Sequence, residues 1–314
     1  MGARTDTATS MIQEVRFDSE EVSCAATLHL PPGLTRPAPG VVMGNGFASV
    51  RQMYLPEYAR AFADAGFAVL TIDYRFLGGS DGQPRQQVLP SAQCDDLRNA
   101  LTWLGQHPWV DADRLALWGT SFAGGHALRI AAIDRRVRAV VAQVPAVGLW
   151  RYLRLAGDEV AAAFRQRALA ERLRYHASGQ VRDIAITAPP GEDSVLGPDG
   201  YDWHRTNESR HTTFHNRIAA HSLDACLDYD PAVFVDEISP TPLLMLLADA
   251  DTTTPSEIAL SAYHRAKQPK QLVTFPGCHY DVYDNDSVKR QVITATTDFL
   301  REHLHDEGRT PPAM

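Results

Sequence analysis

Short apolar runs alternate with longer stretches of helical spacing, and this rhythm constrains the chain more than any other feature. Residues 41–43, 67–73, 115–119, 137–144, 241–248 and 271–275 are strand-length and rich in Val, Leu, Ile or Phe. Between them lie segments of three- and four-residue apolar period. These are 54–65, closed by Gly66; 90–106, with Leu97, Ala100, Leu101 and Leu104 on one side; 122–133; 255–267; and 287–304. Strand–helix alternation implies right-handed βαβ crossovers, hence a mostly parallel, doubly wound α/β sheet with helices on both faces. Two earlier runs, 14–18 and 22–30, read as an antiparallel pair that enters the sheet through the turn residues Pro31, Pro32, Gly33, Pro37, Pro39 and Gly40. With 314 residues, 44% hydrophobic and 22% charged, the chain can bury such a core without disulfide or metal staples.

The rhythm stops between residues 145 and 236. Residues 151–176 read as one or two helices rich in Ala, Leu and Arg, 189–200 as a Pro/Gly/acidic loop, and 203–227 as helical again. The expected organisation is therefore a core of residues 1–144 and 237–314 with a helical lid, 145–236, inserted between its halves. Ligands of open α/β sheets bind at the carboxyl edge of the strands, where such a lid would lie.

Charge and composition exclude several functions. The formal net charge is −8, which gives no basic surface for nucleic acid. The richest apolar run, 243–248, is far too short to span a bilayer. Residues Met1–Ser10 are polar and lack a signal-peptide core, so a cytoplasmic protein is expected. Cys24, Cys94, Cys226 and Cys278 form no CxxC pair and read as free buried thiols of a reducing compartment, Cys278 as a small buried neighbour of His279. His204, His211, His215 and His221 fall in the insertion. The pair His211/His215 has helical i,i+4 spacing, but no carboxylate or thiol joins it at ligand spacing. A polar helix face, no metal and no cofactor are expected.

The residues that carry chemistry begin with Gly119-Thr120-Ser121-Phe122-Ala123-Gly124-Gly125. This stretch ends a strand and opens a helix, the setting of a nucleophile elbow, where small neighbours let a strained serine stand above the sheet. The second position after the serine, commonly Gly, is Ala123. A serine nucleophile needs a base and an orienting carboxylate, in the chain order nucleophile, acid, histidine. The strand 241–248 runs into Ala248-Asp249-Ala250-Asp251, and two carboxylates compete there. Asp251, in the loop before Pro255, is favoured over Asp249, which is closer to the strand and suits a turn. The last strand runs into Pro276-Gly277-Cys278-His279, leaving His279 on an edge loop. His126 lies on the helix after the elbow and reads as packed beneath the sheet edge.

Taken together, these motifs resemble the α/β-hydrolase fold family over about residues 12–305. The stretches 54–59, 78–86 and 119–126 resemble its dienelactone-hydrolase-like and polyketide-transferase-like branch. The resemblance implies that the backbone N–H groups of Phe47, after Met43-Gly44-Asn45-Gly46, and of Phe122 form an oxyanion hole, each worth about 3 kcal/mol. It also implies that the loop Asp73-Tyr74-Arg75 through Gly82 is structural. Trp150, Tyr152, Trp203 and Phe214 read either as the lining of an acyl pocket or as the lid's own core. Arg51 and Tyr54 read either as substrate contacts or as a helix cap. The expected function is a serine hydrolase of a carboxylic ester or thioester, acting through Ser121, His279 and Asp251 and an acyl-enzyme on a small-molecule acyl substrate. Polyketide-type acyl transfer and peptide or amide hydrolysis are the alternatives; the intact set of three argues against a non-catalytic binding protein. The resemblance allows a homodimer, for which the sequence carries no surface signal.

Overall fold

The computed structural model describes residues 11–304, so the reading of Met1–Ser10 lies outside the described residues. The strands are β1 (Met11–Ser19), β2 (Val22–Leu30), β3 (Ala38–Gly44), β4 (Ala68–Ile72), β5 (Val110–Thr120), β6 (Val137–Gln143), β7 (Asp183–Ala185), β8 (Arg217–Ala219), β9 (Leu243–Ala248) and β10 (Lys270–Phe275). Eight of them form one sheet in the order β1-β2-β4-β3-β5-β6-β9-β10. β1 and β2 pair antiparallel, and β2 pairs antiparallel with β4. Every pairing from β4 across to β10 is parallel. The sequence pattern anticipates this α/β architecture strand by strand.

Burial on both faces explains the near-continuous apolar runs. Val42, Leu117, Val140 and Met245 point into one core, under helices α2 (Pro90–Gly105) and α3 (Phe122–Ile133). Their neighbours Val41, Trp118, Val141 and Leu244 point into the other, against α1 (Leu55–Asp64) and the C-terminal helix Asp286–Leu304. Alternation at period two therefore divides each strand between two cores.

The insertion after β6 contains more than helices. α4 (Leu149–Ala156) and α5 (Asp158–Ser178) are separated at Gly157, whose φ of +107° no ordinary helical residue adopts. α6 (Tyr201–Arg210) stops at Arg210, and α7 (Ser222–Leu227) is a separate short helix. Between α6 and α7 the chain forms β8, which pairs antiparallel with β7 and buries Ile184 against Ile218. The reading of 203–227 as helical is thus corrected: strands of three residues are too short to show a period. Because α6 ends before His211, His211 and His215 share no helix face.

Candidate active site

Ser121 sits between β5 and α3 at φ 54°, ψ −118°. That left-handed conformation strains a side-chain-bearing residue by about 1–3 kcal/mol, and the surroundings hold it. Its N–H donates to Gln143 O (2.9 Å), and its carbonyl accepts from Ala146 N (2.8 Å). A Cβ on Gly119 would meet the Ala123 carbonyl oxygen at 2.0 Å, and one on Gly125 would meet the Ala146 oxygen at 2.3 Å. Glycine is required at both. The Ala123 methyl is accommodated by Gly44, where a Cβ would stand 2.8 Å from it. A glycine on β3 makes room for the alanine that departs from the usual elbow.

His279 reaches Ser121 from the loop after β10, and Asp251 reaches His279 from the loop after β9. His279 Nε2 is 3.0 Å from Ser121 Oγ, and His279 Nδ1 is 2.8 Å from Asp251 Oδ2. All three side chains are buried. A carboxylate oxygen facing Nδ1 keeps the proton there and leaves Nε2 free to take the serine proton. Asp251 is held by Thr254, whose N–H donates to Oδ1 (2.7 Å) and whose hydroxyl lies 2.9 Å from Oδ2. The sequence reading missed Thr254; the run Asp-Thr-Thr-Thr, with its Asx-turn spacing, was the signal that could have found it. Asp249 instead supports the loop. Its Oδ1 accepts from Gly277 N (2.9 Å), strapping the turn that presents His279. Cys278, expected to be buried, is exposed, because Gly277 at φ +131° turns the chain outward and places His279 inward.

The β3 loop comes close to the serine, with Gly46 so near that a Cβ there would be 3.4 Å from Ser121 Cβ. Asn45 Nδ2 donates to Ile72 O (2.6 Å), and Gly46 N donates to Tyr54 Oη (2.8 Å). The Phe47 ring meets the Phe122 ring edge-on at 5.2 Å. Among the described residues, neither Phe47 N nor Phe122 N finds an acceptor outside the helical ladder, and Phe122, at the first position of α3, has none within it. Arg51 is not free to meet a substrate. Its guanidinium is ion-paired with buried Asp73 and with Glu14, and its N–H donates to Asp73 Oδ1 (2.7 Å). Arg75 pairs similarly with buried Asp96 (2.7 Å). The Asp73-Tyr74-Arg75 stretch thus braces the β3 loop from behind.

Beside Ser121 opens a cavity of ≈ 590 Å³, bounded by Phe47, Phe122, Leu149, Tyr152, Phe164 and Leu196, with Tyr229 and Cys226 also on its wall. Of the four aromatics singled out in the insertion, Tyr152 lines this cavity. Trp203 lines a second cleft that also borders Ser121. Trp150 lines neither; the Arg165 guanidinium stacks on its ring at 5.4 Å. Phe214 is fully buried near His204, in the same hydrophobic cluster as the sheet residues under α2 and α3. Tyr229 carried no sequence signal. It is fixed by His126, whose Nδ1 accepts from Tyr229 Oη (2.6 Å) while Nε2 donates to Gln93 Oε1 (3.0 Å).

Burial holds His126 down at about 3 and His204 at about 4. Both stay neutral in the folded chain and gain a proton on unfolding below their ordinary value of 6.5. The unfolded state then binds more protons, so stability falls as pH drops from about 6.5 toward 4. Each histidine should cost roughly 2 kcal/mol by pH 5. Melting curves at pH 7 and pH 5 measure this, and His126→Gln should remove about half of the difference.

Among the described residues, no group of His, Cys, Asp or Glu is arranged to hold a metal, and no helix is long and apolar enough to cross a membrane. A family model described as X-Pro dipeptidyl-peptidase (S15 family) matches residues 18–281. The chain belongs to the S15 family. It is an α/β-hydrolase of the polyketide-transferase-like branch. It is 29% identical to the quorum-quenching protein AidA of Acinetobacter baumannii over 92% of this chain and 94% of that protein. It is 28% identical to the thiohydrolase aneE of Aspergillus aculeatus, over 85% and 86% of the two chains. The crystal structure of the α/β-hydrolase GrgF from Penicillium sp. superposes with a TM-score of 0.81 at 27% identity, covering 94% of this chain and 99% of that one. The S15 family match and these relatives support esterase, thiohydrolase or acyl-transfer chemistry.

Proposed function

We propose that this S15-family chain is a serine acyl hydrolase, cleaving a carboxylic ester or thioester through an acyl-enzyme on Ser121. The observation that carries the reading is the hydrogen-bonded series Ser121 Oγ, His279 and Asp251 at a left-handed serine. Ser121 attacks the acyl carbon as His279 Nε2 takes its proton. Asp251, steadied by Thr254, keeps the Nδ1–H tautomer and stabilises the imidazolium. The free N–H groups of Phe47 and Phe122 receive the oxyanion. The acyl chain lies in the ≈ 590 Å³ cavity, a volume typical of small-molecule sites, and residues 145–236 act as its cap.

The relatives' names, a thiohydrolase and polyketide transferases among them, support an acyl substrate. Dipeptide release is less well served. A peptide's terminal ammonium needs a carboxylate partner once buried, and among the described residues neither space beside Ser121 is lined by Asp or Glu. The test is turnover of p-nitrophenyl esters and N-acetylcysteamine thioesters of graded length. Each methylene buried in the cavity should raise kcat/KM roughly fourfold, at about 0.8 kcal/mol apiece, until the cavity is full. Absence of turnover with every ester and thioester, alongside cleavage of an X-Pro dipeptide amide, would overturn the reading.

A further inference from the structure

Ser121 and His279 border a second space besides the acyl cavity. It is a cleft of ≈ 20 Å³, walled by Trp203, His204, Tyr54, Tyr280 and Tyr283. That volume is close to the minimum for one water molecule. The hydroxyls at its edge are engaged: Tyr54 Oη accepts from Gly46 N and bonds Ser49, and Tyr280 Oη bonds Thr253 and Asp199 O.

His204 differs from these. It is only 3% exposed, and its Nδ1 is 2.9 Å from Gly200 O. A carbonyl oxygen carries no hydrogen, so Nδ1 must be the donor. In the neutral ring Nε2 is then an acceptor, and among the described residues no partner for it is found. The ring is locked in place. A Cβ on Gly200 would strike the Tyr280 ring at 2.0 Å, so only glycine lets the start of α6 sit this tightly on the loop bearing His279. Burial keeps the ring neutral near pH 7.

We propose that His204 is a specificity-determining residue that selects water over alcohols as the nucleophile that resolves the acyl-enzyme. This rests on the acyl-enzyme reading above. The water oxygen bonds to the acyl carbon and passes one hydrogen to His279 Nε2. The tetrahedral adduct collapses, the bond from carbon to Ser121 Oγ breaks, and His279 returns that proton to Oγ, releasing the carboxylic acid. The water's second hydrogen stays on its oxygen throughout and is held by His204 Nε2. An alcohol has a single hydroxyl hydrogen, which His279 takes. It leaves Nε2 unpaired and brings a carbon substituent against Trp203 and His204 in a space sized for one oxygen.

The test is product partitioning. Wild type, His204→Phe and His204→Gln are given a p-nitrophenyl ester in buffer containing methanol, and methyl ester and free acid are quantified by mass spectrometry. The ratio is set within each acyl-enzyme, so it does not depend on how much protein is folded. His204→Phe should raise the ester-to-acid ratio about tenfold, the worth of one hydrogen bond. His204→Gln, which keeps an acceptor, should stay within about threefold of wild type. If His204→Phe does not fold, His204→Leu carries the same expectation. An unchanged ratio with Ser121 demonstrably acylated overturns the role of His204 and leaves the hydrolase reading standing. Failure of wild type to acylate Ser121 overturns both.

Discussion

Ser121→Ala is expected to lower kcat for ester and thioester turnover by on the order of 10⁵-fold or more, with a melting temperature within a few degrees of wild type. The two halves of that expectation have separate causes. Oγ makes a single side-chain hydrogen bond, to His279 Nε2 at 3.0 Å, so its removal disturbs little packing. Alanine keeps the same Cβ at the same φ of 54° and adds no new backbone strain. On the proposed mechanism, what is lost is the atom that forms the covalent bond, for which neither the N–H groups of Phe47 and Phe122 nor the cavity can substitute. Steady-state assays with circular dichroism melting on the same preparation measure both. A variant that keeps even a hundredth of wild-type turnover would mean another nucleophile does the work.

Asp251→Asn should reduce kcat by about 10⁴-fold, because an amide facing Nδ1 favours the wrong imidazole tautomer. Asp249→Asn makes the contrast. Asp249 accepts from Gly277 N at 2.9 Å, whereas the carboxylate bonded to His279 Nδ1 is that of Asp251. Its Asn variant keeps a carbonyl oxygen able to accept from that N–H, and the loss should be less than about tenfold, at about 0.5–1.5 kcal/mol for one altered hydrogen bond. The two carboxylates stand two residues apart on the same loop, so the comparison separates charge at the imidazole from support of the loop. Equal losses in the two variants would contradict the assignment of Asp251.

Much of this arrangement is legible in the amino-acid order, for a definable reason. Parallel strands buried on both faces must be apolar along their length, so runs such as Leu243–Ala248 declare themselves. Once the strands are known, their carboxyl ends are known too, and Ser121, Asp251 and His279 each follow one. That the three side chains meet depends on β5, β6, β9 and β10 being neighbours, which chain order suggests and spacing alone does not require. The insertion is far less legible. Its aromatics divide among a cavity wall (Tyr152), a cleft wall (Trp203), a half-buried stack on Arg165 (Trp150) and the main hydrophobic cluster (Phe214), and all four look alike in sequence. Arg51 read either as a substrate contact or as a helix cap, yet it is buried against Asp73, a partner 22 residues away that only the fold supplies. Thr254 and Tyr229 escaped notice because hydroxyls acquire meaning only from what stands opposite them.

The proposed mechanism stands or falls on whether Ser121 is the residue that becomes covalently acylated. Treatment with a fluorophosphonate, followed by intact-mass and peptide mass spectrometry, tests it without knowledge of the natural substrate. One adduct per chain is expected, located on Ser121, formed quickly in wild type and much more slowly in His279→Ala. An unlabelled protein, or an adduct on any other residue, would contradict it.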